Sequence, residues 1–166
     1  MNYKSRKLPS RETLARAQRF NDDIIDVSGV DLVLSLITTA DLIRSNIYAQ
    51  LTKDYDVSEG KFALLMSLYS EGETSAGDLA LRIGVTPATV SVMVKRMLTT
   101  SNPLISMTKN DEDGRSRLIT LTEAGITLIQ NALPDHLKSI RAFAQVLNPQ
   151  EQESLILMLR KLLRNN

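Results

Sequence analysis

The apolar positions of this chain fall into helical stripes along most of its length, with one short interruption where they alternate. From Val30 to about Leu51, Leu32, Leu36, Ala40, Ile43, Ile47 and Leu51 line one side of a helix, and Val33, Ile37 and Tyr48 widen the stripe. So broad an apolar surface predicts contact on two sides, with the helix's own lobe and with a partner chain. A second helix is predicted from Ser58 to about Ser70, with Phe62, Leu65, Leu68 and Tyr69 inward. Two short helices follow. Ser75 and Asp78 open the first as a capping box, Leu79, Ala80 and Ile83 share one face, and Gly84 ends it as a residue at positive φ would. Thr86 caps the second, with Pro87 at the first helical position, where a missing N–H costs nothing. Val90, Met93, Val94 and Met97 form its inward stripe, and Thr89, Ser91, Val92 and Lys95 face out.

The interruption is a hairpin. Leu104 to Met107 and Arg117 to Leu121 have strand-like content around a polar turn, Thr108 to Gly114. Arg117, Ile119 and Leu121 alternate with Leu118 and Thr120, so this strand is expected to be half-buried. Arg115 and Arg117 share one side of an extended chain, which suits phosphates or a minor groove, with Asp113 holding one guanidinium in place. The acidic run Asp111, Glu112, Asp113 does not fit a calcium loop. With Gly114 as that loop's sixth residue, the first ligand would be Lys109 and the twelfth Thr120. A solvated turn is the reading preferred for Asp111 and Glu112.

Thr122 then caps a long helix, which Pro134 is expected to bend near its middle. Asn148, Pro149 and Glu151 open the last helix as cap, first position and box partner. Leu155, Met158, Leu159 and Leu162 make its stripe, with Ile156 and Leu163 beside it. The first and last long helices are too apolar to face water alone, which is most simply met by a homodimer whose termini interlock.

Helix, turn, helix and basic hairpin, in that order, predict a protein that reads DNA. A recognition helix needs a small outward face, because bulky side chains would hold its backbone off the major groove. Short hydroxyls and small apolar groups can approach base edges and thymine methyls. Taken alone, the helix pair is equally an ordinary hairpin with a solvated face. The hairpin that follows tips the balance.

At this point the chain resembles the MarR family of transcription regulators, from about Asp31 to the C-terminus. The motifs that carry the resemblance are Ser58-x-x-Lys61-Phe62, then Ser75-x-x-Asp78-Leu79-Ala80, then the run Gly84-Val85-Thr86-Pro87-Ala88-Thr89-Val90-Ser91. The wing Asp113-Gly114-Arg115 leads into Leu121-Thr122-Glu123-Ala124-Gly125. The resemblance implies a mainly α fold with a small β-hairpin, in which a winged helix-turn-helix lobe joins a helical dimerisation region. It implies a homodimer on a pseudo-palindromic operator in double-stranded DNA, repression, and release by a small-molecule effector bound between dimer helices and lobe. Tyr48, Phe62 and Tyr69 are the aromatic residues near that region and read as core. No effector is assigned. Carried over by position, Thr86, Pro87, Ala88, Thr89, Ser91 and Val92 enter the major groove, Arg115 is the wing-tip arginine, and Asp113 orients it. Ser75, Lys95, Lys109 and Arg117 complete the expected DNA-contacting set. Two features depart from the family pattern. Val92 stands where members often carry Arg, and the link Thr99-Thr100-Ser101-Asn102-Pro103 is longer than usual and has no Gly.

The division expected from these features is a basic N-terminal extension over 1–28 and a MarR-type domain over 29–166. Within it, 58–122 is the winged lobe, 75–98 the helix-turn-helix, and 29–53 with 123–166 the dimerisation helices. The 166 residues suit one domain, or one domain plus an arm. Hydrophobic content of 43% with only 4% aromatics means an aliphatic core, which favours helices. A net charge of +1 gives no support for nucleic-acid binding. Between 75 and 117, however, Arg82, Lys95, Arg96, Lys109, Arg115 and Arg117 outnumber Asp78, Asp111, Glu112 and Asp113, six against four, or +2. Residues 1 to 19 carry Lys4, Arg6, Lys7, Arg11, Arg16 and Arg19 against Glu12, a charge of +5, and Ser10 could cap a short helix through Phe20. A solvated extension is preferred there over a DNA-touching arm.

With no Cys, disulfides, thiolate metal sites and cysteine redox sensing are excluded. His136 is the single histidine, so a Ser-His-Asp triad or a His-rich metal site has little material, and a surface or interface position is expected for it. No P-loop or G-x-G-x-x-G occurs. No enzyme activity, metal or cofactor is expected. With no secretory apolar region and no run of 18 apolar residues, a cytoplasmic protein without membrane contact is expected. The alternative reading is a helical protein-interaction module that does not bind nucleic acid.

Overall fold

Local capping decides where the helices of this chain begin. The computed structural model describes residues 8–17, 26–109 and 117–164, which belong to two compact units, Met1–Ala49 and Gln50–Asn166. In the first unit, Ser10 Oγ accepts the amide of Thr13 at 3.2 Å and opens α1 (Arg11–Ala17). Arg11 Nε meets Asp31 Oδ2 of α2 (Val27–Ile43) at 2.6 Å. The basic arm is therefore not wholly solvated, since this part of it is helical and paired to α2. Phe20, the expected end of that helix, lies outside the described residues.

The helix expected from Val30 to Leu51 starts three residues earlier, and a π-helical turn, Arg44–Tyr48, follows α2. A π turn adds one residue per turn, and the spacing of apolar positions gave no sign of it. No residue of α2 is buried, and Leu32, Val33 and Ile37 are 49%, 54% and 44% exposed.

The second unit begins within α3 (Ala49–Tyr55) and continues with α4 (Glu59–Glu71), whose cap Ser58 accepts the amide of Lys61. After β1 (Thr74–Ser75) come α5 (Ala76–Ile83) and α6 (Pro87–Leu98). The hairpin β2 (Ile105–Lys109) and β3 (Arg117–Leu121), α7 (Glu123–Ala144) and α8 (Pro149–Arg164) complete it. The sheet has the antiparallel order β1-β3-β2, with Thr74 opposite Ile119, and Met107 also opposite Ile119 from the other side. The two-residue β1 was not anticipated, and β2 starts one residue later and ends two residues later than expected. Arg117 and Ile119 share a side of β3, yet Arg117 is exposed at its outer end while Ile119 is fully buried.

The core of this unit is aliphatic, as the composition required. Leu51, Val57, Leu64, Leu65, Leu79, Val90, Ile105, Ile119 and Ile129 are all essentially inaccessible. They come from α3, the link after it, α4, α5, α6, the hairpin and α7. α7 runs unbroken through Pro134, and near it the Tyr55 hydroxyl lies 2.8 Å from Asp135 Oδ2 and 3.0 Å from the Asn131 carbonyl. The Tyr55 hydroxyl and then Lys138 hold the Asp135 carboxyl below its usual range. On α8, Asn148 Oδ1 accepts the Glu151 amide at 3.0 Å, and the Glu151 carboxylate accepts the Asn148 amide at 2.8 Å, a complete capping box.

Two expectations are corrected here. Tyr69 is 40% exposed rather than inward, because it stands in the last turn of α4, where its side leaves the core. His136 is buried, not at the surface: it continues the inward row Ile129, Ala132 on α7 and meets the Phe62 ring edge-on at 4.6 Å. Burial lowers its pKa below the ordinary 6.5. The unfolded chain then takes up a proton near 6.5 that the folded chain refuses. Stability is therefore full above pH 6.5 and falls as the pH drops from there through the folded-state value, by at most about 1.4 kcal/mol per pH unit. Urea melts at a series of pH values check this, and His136→Phe should flatten the response in that window.

Candidate nucleic-acid interface

The two helices that would read a groove are held by their own ends. At the start of α5, Ser75 Oγ accepts the Asp78 amide at 3.2 Å and donates to the Asp78 carboxylate at 2.7 Å. Asp is one methylene shorter than Glu, so the box closes on the hydroxyl. α5 ends at Gly84, whose φ of 69° and ψ of 37° are left-handed, and the Val85 amide returns to the Ala80 carbonyl at 3.0 Å. The chain then turns, and α6 departs at 109° to α5. That angle lies in the range of helix-turn-helix units. Arg82 pairs with Glu71 at the end of α4 at 3.0 Å, which ties α5 to the lobe.

Thr86 Oγ1 accepts the Thr89 amide at 3.2 Å, with Pro87 in the first turn, so α6 starts where the sequence placed it. Val90, Val94 and Met97 are buried, and Met93, expected among them, is half-buried. Ala88, Ser91, Val92 and Lys95 stand at i, i+3, i+4 and i+7 on the opposite side, and all are exposed. Thr86, Pro87 and Thr89 are exposed around the N-terminal end of the helix. This end presents an exposed, largely polar surface, while Ser75 is half-buried at the start of α5.

The link after α6 holds its shape without glycine. Thr99 Oγ1 donates to the Arg96 carbonyl and Thr100 Oγ1 to the Met97 carbonyl, each at 3.1 Å. These hydroxyls satisfy carbonyls that the helix end leaves unpaired. The far end of the link is bound to the start of α7. Thr122 Oγ1 accepts the Gly125 amide at 3.2 Å and donates to the Pro103 carbonyl at 2.8 Å, and the Thr122 amide donates to the Leu104 carbonyl at 3.1 Å. A Cβ on Gly125 would stand 2.1 Å from the Leu104 oxygen, so only glycine fits. Sequence reasoning named Thr122 only as a cap. Its second bond, which fixes the base of the hairpin, has no local signal.

At the outer end of the hairpin, Lys109 and Arg117 are register partners. Asp113 and Arg115 lie outside the described residues, with the rest of the turn from 110 to 116.

Helix-turn-helix and hairpin thus occupy one lobe in the arrangement of a winged helix. The model of the MarR family matches residues 57–116, which span α4, α5, α6 and β2. Over that span the chain carries a MarR-family match. MarR-family proteins are transcription regulators, not enzymes. Among curated proteins, the chain is similar to YwaE of Bacillus subtilis, an HTH-type transcriptional regulator, at 21% identity over 93% of this chain and 89% of that one. Among solved structures it shares the fold of Sco3205, a MarR-family regulator from Streptomyces coelicolor in complex with DNA. The TM-score is 0.78 at 21% identity, over 87% of this chain and 92% of that one. It also matches BpsR of Bordetella bronchiseptica, whose DNA binding is regulated by 6-hydroxynicotinic acid, with a TM-score of 0.67 at 25% identity over 79% and 98% of the two chains. Among the described residues, no single helix is long and apolar enough to cross a membrane.

Proposed function

We propose that this DNA-binding MarR-family regulator grips a pseudo-palindromic operator as a homodimer, represses from it in the cytoplasm, and is released by a small-molecule effector. The observation that carries the proposal is the exposed face of α6, built of small side chains at its N-terminal end, followed by a hairpin with Lys109 and Arg117 at its outer end. Thr86, Pro87, Ala88, Thr89, Ser91 and Val92 face base edges in the major groove. Lys95, Lys109 and Arg117 hold phosphates, Ser75 at the start of α5 borders the same surface, and Arg115, oriented by Asp113, extends the wing.

Support for the homodimer comes from each unit separately. α2 has no buried residue and exposes Leu32, Val33 and Ile37, and α8 likewise exposes Leu155, Ile156, Leu157, Met158 and Leu163. We assign residues 29–53 and 123–166 to dimerisation and 58–122 to the winged lobe, behind a basic extension over 1–28. Support for an effector is the regulation of BpsR by 6-hydroxynicotinic acid. An effector would act by changing the spacing of the two recognition helices, because half-sites about one helical turn apart tolerate little mismatch.

Titration against double-stranded DNA at several salt concentrations tests the reading. Lys95→Ala weakens binding to every duplex alike and lowers the slope of log affinity against log salt by about one, as loss of one phosphate contact does. A slope that Lys95→Ala leaves unchanged removes Lys95 from the interface. Failure of the protein to bind any duplex at low salt overturns the reading itself.

A further inference from the structure

Two of the three hydroxyl hydrogens on the reading face of α6 are already committed within the helix. Ser91 Oγ donates its one hydrogen to the Pro87 carbonyl at 2.9 Å. The hydroxyls of Thr86 and Thr89 lie 2.9 Å apart and share a hydrogen bond, and Thr86 Oγ1 also receives the Thr89 amide. The first two turns of α6 carry no Arg, Lys, Asn or Gln, the side chains that make paired contacts to guanine or adenine in the major groove. Besides one Thr hydroxyl hydrogen left free at the N-terminal end, the remaining groups on that face in these two turns are apolar. Ala88 is exposed, and Val92, one turn later on the same side, is 51% exposed. In the major groove the one apolar group offered by a base pair is the thymine 5-methyl.

We infer that Ala88 and Val92 set the sequence preference of this regulator by packing against the 5-methyl groups of two thymines in each half-site. The inference rests on the DNA-reading role proposed above and adds which base feature is read. Residues i and i+4 are about 6 Å apart along a helix axis, and base pairs stack about 3.4 Å apart, so the two thymines lie about two base steps apart. The hydroxyl oxygens keep acceptor capacity, so neighbouring positions admit a base that donates. Lys95, in the third turn, supplies affinity through a phosphate without choosing a sequence.

The test uses the full chain and a pool of duplexes randomised over two helical turns. Selected half-sites should carry thymine at two base pairs about two steps apart. Each of these thymines is then replaced by uracil, which removes only the 5-methyl and keeps every hydrogen-bonding group. The wild-type protein should bind about fourfold more weakly for each methyl lost, the factor equivalent to about 0.8 kcal/mol. Val92→Ala, a change at an exposed position, should bind the thymine duplex more weakly and lose the distinction between thymine and uracil at one of the two base pairs. A selected site at which uracil changes nothing overturns this inference and leaves the regulator reading standing. Val92→Ala retaining the full distinction at both base pairs also overturns it. A pool that yields no enriched sequence overturns sequence-specific DNA reading and this inference together.

Discussion

Leu155→Glu combined with Met158→Glu turns the protein into monomers and weakens its hold on a two-half-site operator by at least about a hundredfold. The two residues stand at i and i+3 on one side of α8 and are 42% and 60% exposed, so neither change removes anything from the core of the lobe. Glutamates are well tolerated on a solvated helix, but in a dimer interface the same charges would be buried without partners, which is strongly unfavourable. The loss of DNA affinity follows from linkage. Once one recognition helix has docked, the second binds as an intramolecular step, an advantage of about 10²–10⁴ in favourable geometry. Light scattering reads the mass and a mobility-shift titration reads the affinity. A double variant that remains dimeric would place the interface elsewhere, and one that is monomeric yet binds the full operator undiminished would contradict the two-lobed account.

Gly125→Ala lowers stability by about 3 kcal/mol, the upper end of what overpacking costs, with a fall in Tm of roughly 10 °C. The added Cβ would meet the Leu104 carbonyl oxygen at 2.1 Å, and that oxygen is backbone, already accepting the Thr122 amide. No rotamer can relieve such a contact. Either α7 shifts or the base of the hairpin does, and the Thr122 bonds to Leu104 and Pro103 weaken with it. The hairpin then leaves its place beside α6, so the affinity for DNA falls even at temperatures where the variant is folded. Thermal unfolding and a DNA titration well below Tm separate the two effects. A variant with unchanged Tm would show that this junction is looser than its distances imply.

Caps were the most legible part of the chain. Ser58, Ser75, Thr86, Thr122 and Asn148 each bind an amide three residues on, an interaction contained in four consecutive residues. The outward face of α6 followed from those caps and a 3.6-residue period. Non-local features were less legible. β1 is two residues long and carries no period of its own, and it exists because β3 offers it a free edge. The π turn at Arg44–Tyr48 leaves the apolar spacing looking like that of an ordinary helix. His136 was assigned to the surface by residue type, although its spacing from Ile129 and Ala132 already placed it in the inward row of α7. The long link was read as a departure from the family pattern, whereas Thr99 and Thr100 do the work of a C-terminal glycine with side chains. The wing tip, with Asp113 and Arg115, lies outside the described residues, and its part in binding rests on the resemblance and on the Lys109–Arg117 register behind it.

The most direct test of the central claim is a footprint of the purified protein on the duplex upstream of its own gene, beside a scrambled duplex, at several salt concentrations. The account predicts two protected half-sites with two-fold symmetry, their centres about 10–10.5 base pairs or a multiple apart, on the first duplex alone. Equal, salt-sensitive protection of both duplexes would contradict an operator there, and no protection of either at low salt would contradict the account as a whole.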